Sequence, residues 1–259
     1  MFNFFKKRKK EQAETAQEHS IVLCIPTTCQ SNEELITEIV KNSQGEYLYA
    51  GMVLMHVKSS KHYMLEVTDH DPKMKEAFAV AGKPNQVSQD FLNTIEAHQT
   101  VVYISGKSGS FENAFAIAKA ANAILKSGGL GVKVESSGKA FTKEQWLTAS
   151  EEYDEVSLYD LFVVETIYDQ NTELTYSCGM HNIGYKDVAV RNENFDTAYE
   201  LIRMFNIFRF VDKPVLNEGE TFSLSADSDR YVISELHPSP TEGQALFENQ
   251  FGFWELVKK

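Results

Sequence analysis

The stretch VVYISGKSGSFENAFAIAKAANAILK, residues 101–126, decides the fold that the sequence predicts. Its first part, 101–105, is rich in β-branched and aromatic residues and is typical of a buried strand. The segment 111–126 places its apolar residues at helical spacing, and its many alanines predict a helix that approaches a sheet closely. Gly128 and Gly129 end that helix.

The residues before this stretch alternate between strand and helix patterns. The pattern predicts, in order, a strand over 20–25, a helix capped by Ser31, strands over 51–57 and 62–68, a helix from Asp71 to Gly82, and a helix capped by Ser88. If the helix over 72–82 is set aside, the order through strand 101–105 is β-α-β-β-α-β, the split βαβ arrangement.

The residues after this stretch repeat that order. The predicted elements are a strand over 131–135, a helix over 142–149, a long strand over 156–168, a strand over 173–178, a helix over 195–210, and strands over 222–224 and 231–236. The segment 245–257 holds so many aromatic side chains that we expect it to dock on the body.

The prediction is therefore an α+β fold of two split β-α-β-β-α-β, ferredoxin-like units joined by the helix 111–126, with mixed or antiparallel sheets. The expected organisation is a flexible basic tail over 1–18, a first α+β unit over 19–106, and the linking helix with a second unit over 107–259. Whether the two units form one compact domain is left open.

The charge of the chain is distributed unevenly. The 259 residues have a net charge of −12, but residues 1–10 carry five basic side chains and no acidic one, which leaves −17 on the rest. An acidic body repels phosphates, so we expect no nucleic-acid partner. It suits a basic protein partner, although such a charge also serves solubility alone.

Cysteine content and hydropathy indicate the compartment. Three cysteines do not suggest a disulfide framework, and no apolar run reaches the roughly 20 residues that span a bilayer. The start of the chain lacks the apolar core of a signal peptide, so we expect a cytoplasmic protein. Phe2, Phe4 and Phe5 beside the basic residues of 1–10 leave two readings, contact with an anionic membrane or an ordinary chain terminus.

The run CGMHNIGYKDV, residues 178–188, holds two glycines and an acidic residue at fixed spacing. This run resembles the motif of a bacterial family, domain of unknown function 4261, through Gly179, Met180, Gly184 and Asp187, with His181 inside the loop. In that family the motif also follows a strand, and an acidic-glycine turn comes after the next helix, where Glu218-Gly219-Glu220-Thr221 stands here. The resemblance covers about residues 155–238. It implies a fold and a bacterial source and brings no catalytic residues.

The loop Gly106-Lys107-Ser108-Gly109-Ser110 joins a strand to a helix N-terminus, where free N–H groups and the helix dipole attract anions. It is a candidate anion site. A P-loop needs a further glycine four residues earlier, and that position lies in the strand. The alternative is a turn in which Ser110 caps the helix.

Two other groups of residues have the chemistry of a site but not its spacing. Cys178 and His181 lie in one loop, but no third group is evident to orient them, and a buried thiol is the ordinary alternative. His56, His62 and the run 69–71 offer zinc ligands without a typical zinc spacing. We therefore predict no metal and no cofactor.

The densest acidic run is formed by Glu151, Glu152, Asp154 and Glu155. It is a candidate patch for a basic partner, and a solvated loop is the alternative.

These patterns leave two functions of different classes. The first is a non-enzymatic protein-binding module of a regulatory or immunity type, favoured by the acidic body and by the lack of a catalytic motif. The second is a small hydrolase or transferase with its site between the loops 105–110 and 178–187. A deep pocket that joins Lys107, Ser108, His181 and Asp187 would favour the enzyme.

Overall fold

The computed structural model of the chain describes residues 20–259. The predictions for the tail over 1–18, including membrane contact through residues 1–10, lie outside the described residues.

The described residues form two β-sheets and seven α-helices. The strands are β1 (Ser20–Thr27), β2 (Tyr47–Ala50), β3 (Val53–His56), β4 (His62–Asp69), β5 (Thr100–Lys107), β6 (Gly131–Val134), β7 (Lys139–Thr142), β8 (Val164–Asp169), β9 (Leu174–Cys178), β10 (Asp187–Arg191), β11 (Thr221–Phe222), β12 (Tyr231–Glu235) and β13 (Phe253–Lys258). The helices are α1 (Asn32–Asn42), α2 (Met74–Ala81), α3 (Gln89–Glu96), α4 (Phe111–Lys126), α5 (Lys143–Ala149), α6 (Glu155–Phe162) and α7 (Phe195–Val211). The predicted α+β class with mixed and antiparallel sheets is confirmed.

The first sheet has the order β2-β3-β4-β5-β1-β6-β7, and all its neighbouring strands are antiparallel. Successive residues of β1 point to opposite faces. Leu23 packs with α1 and α4, whereas Cys24 packs with α2 and α3. The sheet is therefore covered by helices on both faces.

Helix α4 is the buried helix that the alanine pattern predicts. Ala118 and Ala121 are fully buried against the first sheet. Ser110 begins the helix, because its hydroxyl accepts a hydrogen bond from the backbone N–H of Asn113 at 3.2 Å.

The second sheet is mixed and has the order β11-β12-β13-β10-β9-β8. Strand β13 lies between β12 and β10 and runs parallel to β10. Phe253 and Leu256 of β13 are buried, so the end of the segment 245–257 docks on the body as predicted, whereas Leu246 and Phe251 stay exposed. Helix α7 covers one face of this sheet.

The ferredoxin-like split units are not confirmed. A split βαβ unit joins two parallel strands through a helix and places another strand between them. Here β4 and β5, which α2 and α3 join, are antiparallel neighbours, and the chain after α1 crosses to β2 at the far edge of the sheet. The first sheet also includes β6 and β7, which lie beyond residue 107 in the sequence.

The predicted strand over 156–168 is wrong in its first half, which forms α6. Asp154 accepts a hydrogen bond from the backbone N–H of Ser157 at 2.7 Å and caps that helix. Leu158, Leu161 and Phe162 are buried at helical spacing, and a continuous apolar run does not distinguish this arrangement from a buried strand. In residues 20–259 no helix is both long enough and apolar enough to cross a membrane.

Candidate functional site

The two loops that sequence reasoning singled out lie in contact. The backbone N–H of Gly109 donates to the carbonyl of Asn182 at 3.0 Å. Gly184 has a φ of +92°, and a Cβ there would lie 2.5 Å from the carbonyl oxygen of Gly109. Gly179 also has a positive φ, +115°. Both glycines are therefore required by the backbone of a tightly packed loop.

Asp187 holds the inner side of this loop. Its buried carboxylate accepts hydrogen bonds from the hydroxyl of Ser177 at 2.8 Å, from the N–H of Met180 at 3.3 Å and from the side-chain amide of Asn249 at 2.6 Å. Burial raises the pKa of Asp187 to about 6, although these donors oppose the shift. The residue joins β9, the loop and the C-terminal segment.

The two loops pack directly against each other, and their candidate residues differ in exposure. His181 and Asp187 are buried, whereas Lys107 is exposed. The cavity of about 400 Å³ beside Gly106 and Lys107 is lined from the side of β4 and α4, not by the 178–187 loop. Ser108 and Gly109 lie at the start of α4, and Ser110 acts as its cap. The geometry does not favour the catalytic pocket that would join these residues.

The other candidate groups have structural partners. Burial raises the pKa of Cys178 well above its usual value, so its thiol stays protonated. His70 stacks on the buried His98, whose Nε2 accepts from the N–H of Asp71 at 3.0 Å. Within residues 20–259 no three His, Cys, Asp or Glu side chains are placed to hold a metal ion.

The acidic run lies on the surface. Glu151, Glu152 and Asp154 are exposed, and Glu155 is partly buried. Asp154 is engaged as the cap of α6, which lowers the pKa of its carboxyl through the hydrogen bond from Ser157. Only part of the predicted patch is therefore available to a partner without cost to the fold.

Sequence reasoning missed a groove where the edges of the two sheets approach each other. Strand β7 ends the first sheet and β8 ends the second. Lys139 on β7 spans the junction, because its ammonium donates to the carbonyl of Val163 at 3.0 Å and lies 3.5 Å from Glu165 on β8. This junction can be recognised only when the positions of both strands, β7 and β8, are known. Strand β7 was not predicted, and the residues of β8 were assigned to a longer strand.

The groove has a volume of about 700 Å³ and runs along β8 and α7. Its lining includes Val164 and Thr166 of β8 and the aromatic residues Phe195 and Tyr199 of α7. These two aromatic side chains are 59% and 39% exposed although they are large and apolar. Exposed aromatic residues in a concave surface are typical of a contact site.

The charges in the groove neutralise one another. Arg203 lies 2.8 Å from Glu165 and contacts both oxygens of Asp160. The carboxylate of Asp160 raises the pKa of Arg203 above its usual value. Lys139 also pairs with Glu165, so two of the three cations that line the groove contact carboxylates. The third cation, Lys83, lies at the rim.

The two edge strands differ in how they are covered. The side-chain amide of Asn85 donates to the carbonyl of Ala140 on β7 at 2.7 Å, which occupies that edge. Strand β8 has β9 on one side and, in the part of the chain that the structure describes, no strand on the other. A bulge between Val164 and Ile167 interrupts its pairing with β9.

Comparisons with protein-family models, curated proteins and solved structures give no match. The resemblance to domain of unknown function 4261 therefore stays a prediction.

Proposed function

We propose that this chain is a non-enzymatic protein-binding module that takes an extended segment of a partner along the outer edge of β8. The observation that carries the proposal is an edge strand that, within residues 20–259, has no strand on its outer side and lies beside a groove lined by exposed Phe195 and Tyr199. Unpaired N–H and C=O groups at a sheet edge can pair with an extended chain.

Charge favours a basic partner. The chain beyond residue 10 carries −17, so a basic protein is attracted at long range. Because Arg203 and Lys139 are already paired with carboxylates, the groove adds little repulsion. Glu151 and Glu152 belong to the acidic surface that speeds encounter, whereas β8 supplies the docked contact.

The enzymatic alternative has less support. A nucleophile or base has to reach substrate, but Cys178, His181 and Asp187 are buried. The protonated state of the Cys178 thiol also makes it a poor nucleophile.

The test is capture of a partner with tagged protein, followed by hydrogen–deuterium exchange on the complex. Strand addition predicts slower exchange of backbone amides within 166–169 when the partner is bound. Phe195→Ser with Tyr199→Ser should weaken the complex at least about tenfold, since exposed aromatic anchors carry much of a binding energy. Met204→Ser with Val211→Ser is the matched control, because both residues are exposed on α7 but do not line the groove.

Protection confined to 151–155, with full binding by the Phe195 and Tyr199 variant, would place the contact on the acidic loop and overturn the groove proposal. Turnover of a small substrate that is lost with Lys107→Ala would favour the enzymatic alternative.

A further inference from the structure

One face of the first sheet is covered by helices over only part of its width. Helices α2 and α3 pack on the face to which Cys24 of β1 and Val101 of β5 point. Among residues 20–259, the buried cluster on that face includes no residue of β2, β3 or β4. The helical cover therefore does not extend over these three outer strands.

The side chains that these strands present on the uncovered face are apolar. Leu54 points into the core with α1 and α4, so its neighbours Val53 and Met55 point to the opposite face. Val53 pairs with Met64, and Met55 pairs with Leu48. Leu48, Val53 and Met64 are 45%, 36% and 47% exposed. These four side chains, Leu48, Val53, Met55 and Met64, form an apolar patch of the kind that marks a contact surface.

Lysine residues border the apolar patch at one end of the sheet. The loop between β3 and β4 carries Lys58 and Lys61, and both are exposed. Lys107 is also exposed and lies two residues beyond Ser105, which pairs with Met64, so Lys107 shares the face of the patch. A partner on this face therefore meets three lysines at one end.

The charge of this surface differs from that of the body. Residues 46–68 and Lys107 together contain three lysines and two glutamates, Glu46 and Glu66, which gives a net charge of +1. The chain beyond residue 10 carries −17. The outer strands are therefore a slightly basic region of an acidic protein.

Residues 1–19 join the described chain beside this surface. The first described residue, Ser20, pairs with Lys107, so the two lie at the same end of the sheet. Two strand spacings, roughly 10 Å, separate β1 from β4. Residues 1–10 contain three phenylalanines and five basic side chains. Aromatic and basic residues are thus attached next to a patch that is itself apolar and bordered by lysines.

We infer that the outer face of β2, β3 and β4 binds an anionic membrane surface. The apolar patch would lie at the boundary between headgroups and acyl chains, and the lysines of the 58–61 loop would contact the headgroups. Apolar burial combined with basic residues is the pairing of signals that holds a protein on an anionic bilayer. The groove beside β8 belongs to the other sheet, so this inference goes beyond the proposed function and does not depend on it.

Charge argues against two other occupants of the patch. A second copy of the chain, docked through the same face, would bring the lysines and the basic residues of 1–10 from both copies together, and like charges repel. A basic protein would also meet Lys58, Lys61 and Lys107. An anionic bilayer attracts these lysines, and each lysine near its surface strengthens binding about fivefold.

The test is flotation of the full chain with vesicles. One set contains phosphatidylcholine and phosphatidylserine in equal parts, and the other contains phosphatidylcholine alone. We expect binding to the mixed vesicles that weakens at high salt, and much weaker binding to phosphatidylcholine. Lys58→Gln with Lys61→Gln should weaken binding to the mixed vesicles at least about tenfold. Lys126→Gln with Lys259→Gln is the control, because it removes the same charge from exposed positions outside this face.

A second pair of variants tests the apolar patch. Leu48→Ser with Met64→Ser should also weaken binding at least about tenfold, because both side chains lose their contact with lipid. Val211→Ser with Met204→Ser is the matched control, since Val211 and Met204 are exposed to a similar extent on α7. Brominated lipids should quench the added fluorescence of Met64→Trp but not that of Met204→Trp.

Three outcomes would overturn the inference. The first is wild-type protein that does not bind the mixed vesicles, or that binds both kinds equally. The second is normal binding by the Leu48→Ser, Met64→Ser protein together with loss of binding by Phe2→Ser with Phe4→Ser, which would assign the contact to residues 1–10 alone. The third is capture of an acidic protein that needs Leu48 and Met64, without vesicle binding. Leu48, Lys58, Lys61 and Met64 are exposed, so their variants should fold, and thermal unfolding checks this.

Discussion

The ammonium of Lys139 on β7 lies 3.5 Å from the carboxylate of Glu165 on β8, and this pair joins the edge strands of two different sheets. Both side chains are almost fully buried, and Arg203 contacts Glu165 from the other side at 2.8 Å. The junction beside the groove is therefore held by a charge network that is removed from solvent.

Lys139→Met should lower the free energy of unfolding by about 3 kcal/mol, because it removes one partner of a buried ion pair. The loss of unfolding free energy in the double variant, Lys139→Met with Glu165→Gln, should be smaller than the sum of the losses in the two single variants. The reason is that Glu165→Gln removes the buried carboxylate that Lys139→Met deprives of one cation. Urea unfolding of the four proteins measures this coupling. Additive costs would show that Lys139 and Glu165 act independently.

Gly184→Ala should destabilise the protein by more than about 2 kcal/mol. The positive φ strains any side chain there, and the new Cβ would collide with the carbonyl of Gly109. Gly243→Ala is the control, since Gly243 has a φ of +77° but no atom within 4 Å of the position of a Cβ. Equal costs at the two positions would mean that strain alone acts and that the contact with Gly109 is unimportant.

Asp187 should give a distinctive pH dependence. Its pKa is raised from 3.8 in the unfolded chain to about 6 in the folded protein, so its contribution to stability is complete below pH 3.8 and is lost as the pH rises through about 6. The stability of the wild type relative to Asp187→Asn should therefore fall by about 2 kcal/mol between pH 4 and pH 7. Denaturant unfolding at a series of pH values measures this difference.

In the acidic loop, Asp154 should contribute to stability, whereas Glu151 and Glu152 should contribute only surface charge. Asp154→Ala should cost about 1 kcal/mol through the lost cap of α6, and Asp154→Asn, which can still accept from Ser157, should restore most of it. Glu151→Gln with Glu152→Gln should leave the melting temperature almost unchanged but slow association with a basic partner, and high salt should reduce that slowing. A large stability loss from the glutamate changes would contradict this division.

The sequence predicts the local features of the fold well because each depends on residues close together in the chain. Ser31, Ser88 and Ser110 are N-caps as predicted, and α4 has the predicted bounds. Features that depend on distant pairing were missed. Strand β10 has no counterpart among the predicted elements, and its pairing with β9 and β13 becomes evident only in three dimensions.

The candidate groove shows the same limit more strongly. Its walls come from β7, β8, α7 and the segment between α2 and α3, and no local pattern connects them. The exposed aromatic residues Phe195 and Tyr199 lie four residues apart on α7, and no sequence pattern indicates that they line a groove. The positive φ of Gly179 and Gly184, in contrast, has a local signal in the sequence, because glycine adopts backbone conformations that other residues resist.

The position of β13 has a consequence for the order in which the protein folds as it is synthesised. Strand β13 is the only hydrogen-bonded link between β12 and β10 in the second sheet, within the part of the chain that is described. On the ribosome, β11 and β12 can pair as a hairpin, but they cannot join β8, β9 and β10 until residues 253–258 have left the exit tunnel. The first sheet, whose strands all lie before residue 143, can form much earlier. The strands of the first sheet should therefore pair while β10 and β12 still lack their shared neighbour, and during this interval a chaperone could bind their two unpaired edges.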